Sequence, residues 1–479
     1  MVFDEELNSY IKSKKREINK QIVKIKDFNH RDEYFKVKKY LDDYLEGVLE
    51  KRFIVLPGLR GIGKSTIVYQ LMDYLINTKN VSQKNVLYLT MDGLTSYFQT
   101  DLLHTIDIFL EKTHKIDKIN LDKKIFVFVD ECHFDKKWAI SGKIIYDINP
   151  NIFFLFTGSS NINLEINTEV ARRMFKEQIF PNNFKDYLLL KHEISFNCDF
   201  TKELKNMIYF GNNKFINRAI DCEEIVHEKL TCLNNDSKIE FEKFLKSYGF
   251  PSTLNLDEEE AYLQINTIIS NIVEKDIFPV KSFNTSTIDV IRRIILYIAL
   301  QKPGTTSHQK IANYLSISPT TVREILDVLE KTQLIFNIKP YGGGGKILKK
   351  SWNYYFLSPS LKAAINFEIG RYDLDSEECL GILAENLVAS ALYKMTKVDF
   401  KYMGLFYPPN KGSSNFIIRT KFDDVIPIEV GIGKKTKSQI IKDMNKYDSK
   451  YGILVSNRYE QITHIDNIIH IPLMSFSFI

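Results

Sequence analysis

Apolar and polar residues alternate in three distinct textures along the chain. The stretch "EYFKVKKYLDDYLEGVL" repeats apolar residues at i, i+3 and i+4 with charges between, which predicts an N-terminal helical segment over residues 1–50. From Arg52 the texture changes to short β-branched and aromatic runs, "RFIVLPG", "NVLYLTMD", "KIFVFVDE" and "NIFFLFTGSS". Each closes on polar or glycine residues, and helical stretches separate them. Continuous apolar strands alternating with helices predict a parallel α/β sheet covered on both faces, assigned here to residues 51–190. Residues 191–287 read as mostly helical, with one interruption at "YGFPSTL".

The third texture begins at Ile288. "VIRRIILYIAL" predicts a helix, and "HQKIANYLSISPTTVREILDVLEKTQLIFNI" reads as helix, short turn, helix and strand. "YGGGGK" then makes a turn and "NYYFLSP" a second strand, so residues 288–370 are expected to form a helix-turn-helix with a wing. The glycine run is the only low-complexity segment, and no internal repeat appears. After a polar linker around "RYDLDSEE", residues 371–479 mix a helix, "LGILAENLVASALYKM", with the strands "SNFIIRT", "VIPIEVGI" and "YGILVSN".

Bulk properties narrow this picture only a little. At 479 residues the chain exceeds one compact core, and 44% hydrophobic with 26% charged residues is ordinary for a globular protein. A net charge of +5 is small against 65 basic and 60 acidic residues, so it permits a nucleic-acid partner without requiring one. Cys132, Cys198, Cys222, Cys232 and Cys379 are scattered, with no CxxC pair and no histidine at ligand spacing. That pattern argues against a disulfide framework or a zinc site and fits a reducing cytosol. The N-terminus "MVFDEELNSYIKSKKREINK" lacks the apolar core of a signal peptide, and the most apolar runs are strand-length. A cytoplasmic location without membrane insertion is expected.

The strongest chemical signal is "LPGLRGIGKST". Gly58 with Gly63, Lys64 and Ser65 satisfies GxxxxGK[ST], between a strand and an amphipathic helix. Glycines in such a loop let backbone N–H groups turn inward onto phosphates. Lys64 supplies a point charge to the β and γ oxygens, Ser65 offers a hydroxyl to Mg²⁺, and the following helix points its positive end at the anion. Gly58, Leu59, Arg60, Gly61, Ile62, Gly63, Lys64, Ser65 and Thr66 are thus the expected nucleotide-binding residues. "KIFVFVDEC" places Asp130 and Glu131 at the carboxyl end of a strand, where open α/β sheets bind ligands. Asp130 is expected to hold Mg²⁺ through water and Glu131 to orient and deprotonate the attacking water. Thr157 or Ser159 in "FTGSS" is placed to sense the γ-phosphate or to make a strand-end turn. Arg172 and Arg173 are candidates for the cation that neutralises transition-state charge, in cis or from a neighbouring copy; a solvated helix face is the plain alternative. The expected chemistry is Mg²⁺-dependent ATP hydrolysis.

"GLRGIGKST", "FVDECHFDKKW", "FFLFTGSS" and "ARRMFKEQIFPNNFKDYL" follow one another as in a large bacterial and archaeal group of AAA-type P-loop ATPases. "YGFPSTL", "YLQINTIISNIVEKDI" and the winged-helix segment resemble that group's helical lid and helix-turn-helix. "NYYFLSPSL" and "GILAENLVASAL" look like the start of its C-terminal restriction-endonuclease-like, PD-(D/E)XK-type domain. The resemblance runs from about Glu33 onward and implies an ATPase related to the STAND and ORC-like clades, with homo-oligomerisation left open.

An active nuclease of that fold needs a helical Glu, an Asp, and Glu-x-Lys on adjacent strands. Glu385 matches the first acid and Glu429 the third, but Asn415 stands where the Asp is expected and Gly431 where the Lys is. Lys434 or Lys435 would have to replace the cation, and Asp423 or Asp424 the acid. A retained fold that binds nucleic acid or protein is the expectation, rather than cleavage. In the helix-turn-helix, Ser318, Thr320, Thr321 and Arg323 are available to DNA, with Lys346, Lys349 and Lys350 on the wing; Glu324, Asp327 and Glu330 on the same helix oppose it. Three functions follow: an ATP-driven switch or motor on DNA, an ATP-gated metal-dependent nuclease, and a protein-binding regulatory ATPase.

Overall fold

The computed structural model describes residues 2–158, 168–277, 285–302, 304, 306–343, 351–371, 373–432 and 437–479. Ser159, Lys346, Lys349, Lys350, Lys434 and Lys435 lie outside the described residues. Contacts divide the chain into two compact units, Met1–Ile179 and Phe180–Ile479. The expected segments 191–287, 288–370 and 371–479 therefore share the second unit.

The first unit is built on five parallel strands: β1 (Phe53–Pro57), β2 (Val86–Thr90), β3 (Ile125–Asp130), β4 (Ile152–Gly158) and β5 (Phe175–Lys176). Their order is β2-β3-β4-β1-β5. Every residue of β1, β3 and β4 is buried, which is why their sequences are apolar without alternation. On one face Val127, Val129, Phe154 and Phe156 join Leu7 and Ile11 of helix α1 (Val2–Ile25) and Trp138 in one core. On the other, Phe126 and Phe153 pack on Tyr44 of helix α2 (Asp32–Leu45), at ring-centre distances of 5.7 and 5.4 Å. The expected N-terminal helical segment is thus two helices, one on each face of the sheet.

In the second unit, four long helices, Phe200–Phe210, Asn213–Leu230, Ser237–Ser247 and Glu258–Asn271, bear out the helical reading. The expected helix-turn-helix falls on the helices His308–Leu315 and Pro319–Lys331, and the expected wing on antiparallel β6 (Ile335–Pro340) and β7 (Asn353–Phe356). Beyond these lie β8 (Gly404–Tyr407), β9 (Phe416–Arg419), β10 (Val425–Gly431), β11 (Gly452–Ser456), β12 (Thr463–Ile465) and β13 (Ile468–Pro472). All eight strands form one mixed sheet in the order β12-β13-β11-β10-β9-β8-β6-β7. The join is the parallel pairing of Lys339 with Phe406 and Pro340 with Tyr407. The hairpin expected as a wing is therefore the edge of the C-terminal sheet. Among the described residues no helix is long and apolar enough to cross a membrane.

Candidate functional site

The loop after β1 owes its shape to its glycines. Gly61 and Gly63 have φ of 77° and 89°, a region that side chains with a Cβ disfavour. Gly58 is needed for space, since a Cβ there would come within 2.3 Å of Ile62 Cδ1 and 2.8 Å of the Ile179 carbonyl oxygen. Gly63 is also the N-cap of helix α3 (Lys64–Asp73), and as a glycine it has no side chain to accept from the first-turn N–H groups. Those donors and the helix dipole remain available to an anion. Lys64 is buried and donates from Nζ to the carbonyl oxygens of Gly58, at 2.9 Å, and Leu59, at 2.7 Å. Its ammonium thus lies folded into the loop, where phosphate oxygens can compete for it.

Strand order brings the remaining groups to this loop. β4 lies between β1 and β3, with Thr157 beside Leu56 and one step past the Val129–Phe156 pair. Thr157 Oγ1 donates to Asp130 Oδ1, and Ser65 Oγ donates to Asp130 Oδ2 at 2.6 Å. Lys64, Ser65, Asp130 and Thr157, expected from the sequence to act together, converge here. The Glu131 N–H completes the cluster, donating to Asp130 Oδ1 at 3.1 Å. Ser65 and Asp130 fit a magnesium ion: a hydroxyl and a carboxylate oxygen already meet, and both carry lone pairs a hard cation accepts.

Glu131 adopts the left-handed conformation, φ 52° and ψ 42°, which turns its side chain at the strand end. Its Oε1 lies 3.6 Å from Arg60 Nη1 and its Oε2 3.4 Å from His133 Nδ1. Three contributors escaped sequence reasoning. Tyr88 donates to Asp130 Oδ2 at 3.3 Å, and burial with the Asp130 charge pushes its phenol well above the usual range. Arg31, buried between α1 and α2, donates from Nη1 to the Ile62 carbonyl at 3.1 Å and so braces the loop. His133 is the third, and only its position two residues after Glu131 could have flagged it.

Arg172 and Arg173 lie elsewhere. Phe175 pairs with Ile54, so the residues just before it sit at the opposite end of the sheet from the loop. Arg173 Nε donates to Asp147 at 2.5 Å, and Arg172 is exposed. Within this unit neither reaches the Lys64–Glu131 cluster; Arg172 is presented outward.

In the second unit the structure brings Glu385, Asn415 and Glu429 onto one locus. Asn415 precedes β9 and faces β10, while Glu385 comes from the helix Glu377–Val398. Asn415 Nδ2 donates to Glu385 Oε2 at 2.8 Å, and Asn415 Oδ1 accepts from the Val430 N–H at 2.9 Å. Tyr355 of β7 donates to Glu385 Oε1 at 2.9 Å. The Gln439 amide, with its nitrogen turned to Glu429, donates to Oε1 at 2.7 Å. These donor groups do not fit a divalent cation. The Asn415 N–H₂ has no lone pair to offer, and inverting the amide would break its bond to Val430. Among the described residues no group of three or more His, Cys, Asp or Glu side chains could hold a metal ion. Asp423 pairs with Arg419 at 2.7 Å and Asp424 with Lys450 at 2.7 Å, both outside the Glu385–Asn415 contact.

On the second helix of the helix-turn-helix, Ser318 caps the N-terminus by accepting from the Thr321 N–H at 3.0 Å, and the two hydroxyls lie 2.8 Å apart. Thr320, Arg323, Glu324 and Asp327 are exposed, and Asp327 pairs with Lys331 at 3.3 Å. Glu330 is turned inward and accepts from Asn337, and burial pushes its carboxyl up to about 7.

Residues 50–188 match an AAA domain, and residues 240–371 a domain of unknown function, DUF8612. Similar relatives include the uncharacterized protein MJ1637 of Methanocaldococcus jannaschii, 33% identical over 93% of this chain and 88% of that protein. An uncharacterized protein of Haemophilus influenzae is 23% identical over 89% of this chain and 95% of its own. Among solved structures, the ORC2 protein of Aeropyrum pernix aligns over 72% of this chain and 95% of that one, at 15% identity and a TM-score of 0.35. The Thermotoga maritima RuvB Holliday junction branch migration motor aligns over 64% and 89%, at 16% identity and a TM-score of 0.26. With a P-loop AAA domain over residues 50–188 and a shared length of 451 residues, the chain belongs to the family of the uncharacterized protein MJ1637.

Proposed function

We propose that this chain is a Mg²⁺-dependent ATP hydrolase that works as a nucleotide-driven switch on DNA. The observation that carries the reading is the 2.6 Å contact of Ser65 with Asp130 at the open N-terminus of α3, beneath a loop whose Lys64 donates to the Gly58 and Leu59 carbonyls. When bound to Ser65 and, through water, to Asp130, Mg²⁺ would neutralise charge on the phosphate oxygens. Lys64 exchanges the Gly58 and Leu59 carbonyls for those oxygens, and the first-turn N–H groups of α3 bind the phosphates. Thr157 keeps Asp130 in place from the neighbouring strand. Glu131 orients a water in line with the terminal phosphate and takes its proton. Arg172, exposed and remote from this cluster, serves as a transition-state cation only if supplied to another copy.

The DNA part of the reading rests on Thr320 and Arg323, exposed on the first turns of the reading helix. A second reading, a regulator that binds protein instead, draws on Glu324 and Asp327 exposed on the same helix, which would repel phosphates. The test is ATP turnover with and without duplex DNA across a salt series. Stimulation that weakens with salt and is lost in the Arg323→Ala variant supports DNA; salt-insensitive turnover unchanged by DNA supports the protein-binding reading.

A further inference from the structure

We propose that His133 is a positioning residue for Glu131, fixing one oxygen of the base so that the other receives the proton from water. This deepens the hydrolase reading and rests on it. The two contacts of the carboxylate are unlike. His133 approaches Oε2 from the interior: its side chain is 2% exposed, against 23% for Glu131. Arg60 approaches Oε1 from the phosphate loop, with a longer separation of 3.6 Å.

The backbone supports this arrangement. Glu131 is held in the left-handed region, a conformation that non-glycine residues disfavour. The short turn Cys132–Phe134 follows at once, closed by the Phe134 N–H donating to the Glu131 carbonyl at 3.1 Å. That turn sends His133 back under the Glu131 side chain, and the Phe134 ring, 4.6 Å from the imidazole, packs against it. Its Nδ1 then faces Oε2. At 3.4 Å the contact is not a closed hydrogen bond, as is common for catalytic groups before substrate tightens them.

The consequence is a division of labour. A carboxylate base held through one oxygen keeps the other in a fixed direction, and misplacing a reacting group by about 1 Å can cost on the order of a hundredfold in rate. Oε2 is the held oxygen. Oε1 is the proton acceptor, once phosphate draws the Arg60 guanidinium toward itself.

The experiment compares wild type, His133→Ala and His133→Asn in the full chain. ATP turnover is measured beside the Kd for a non-hydrolysable ATP analogue and the melting temperature. His133→Ala is expected to lower kcat by roughly tenfold to a hundredfold while Kd changes less than about twofold. His133→Asn, whose amide nitrogen falls near the Nδ1 position, is expected to recover most of the rate, and it decides the matter if the alanine variant does not fold. Unchanged kcat in His133→Ala overturns the inference alone. Parallel loss of affinity and melting temperature in both variants also overturns it, since it would mark His133 as mere packing. A wild-type chain that binds the analogue but turns over no ATP removes the hydrolase reading and this inference together.

Discussion

Two clusters in this chain bring acidic side chains and hydrogen-bond donors together, and they are built to opposite ends. At the loop cluster, Asp130 accepts from the hydroxyls of Ser65 and Thr157. A hydroxyl is donor and acceptor at once, so it can turn its lone pair to an incoming cation and give up only one hydrogen bond. At the second cluster, Glu385 accepts from Asn415 and Tyr355, and Asn415 is also anchored to the Val430 N–H. An amide used at both ends cannot yield its place to a cation. The first cluster is arranged to exchange partners; the second is tied shut, and the tie joins the wing strand β7 to the helix Glu377–Val398 and to β9 and β10. A carboxylate in a cleft is therefore informative only together with what its donors can give up.

That contrast can be broken most severely at Glu131. Glu131→Gln is expected to retain binding of an ATP analogue and to reduce turnover by roughly a hundredfold or more, the usual worth of a general base. Steady-state kinetics beside a binding titration would check it, and undiminished turnover would mean another group is the base.

A smaller effect tests the tied cluster. Asn415→Asp removes a donor and sets a third carboxylate beside Glu385 and Glu429, so it is expected to destabilise the fold by about 1–3 kcal/mol. Mn²⁺ added to the nucleotide-free variant is expected to raise its Tm more than it raises that of wild type. An equal rise in both, and a Glu385→Gln variant more stable than wild type that loses part of the rise, would instead mark a working metal site.

The smallest effect concerns the helix-turn-helix. Burial raises the Glu330 carboxyl from 4.5 to about 7, so between those values the folded chain binds more proton than the unfolded one. Stability from this group is present below pH 4.5 and is lost as pH rises through 7. Glu330→Gln is expected to flatten that part of the stability profile and to raise Tm at pH 8. Thermal unfolding across this range would check it, and a profile identical to wild type would contradict it.

Much of this was legible in the sequence, for local reasons. The fully buried strands β1, β3 and β4 appear as unbroken apolar runs because both of their faces are covered, and Gly61 and Gly63 mark a loop whose backbone only glycine accommodates easily. Asp130 follows from its place at a strand end. What was not legible depends on contacts far apart in the chain. The pairing of Lys339 with Phe406 leaves no mark on either segment, so the wing reads as a separate module. Arg31 reads as one more charge ahead of a helix, although it reaches Ile62. Resemblance to a nuclease motif singled out Glu385, Asn415 and Glu429, but only geometry shows that the Asn415 amide is bonded at both ends.

The most direct test of the central claim, that the loop around Gly63 holds a magnesium nucleotide, is a calorimetric titration of the full chain with a non-hydrolysable ATP analogue and Mg²⁺. The expected result is saturable binding at one site per chain, abolished in Lys64→Ala. No heat from wild type, or an isotherm unchanged in Lys64→Ala, would contradict it.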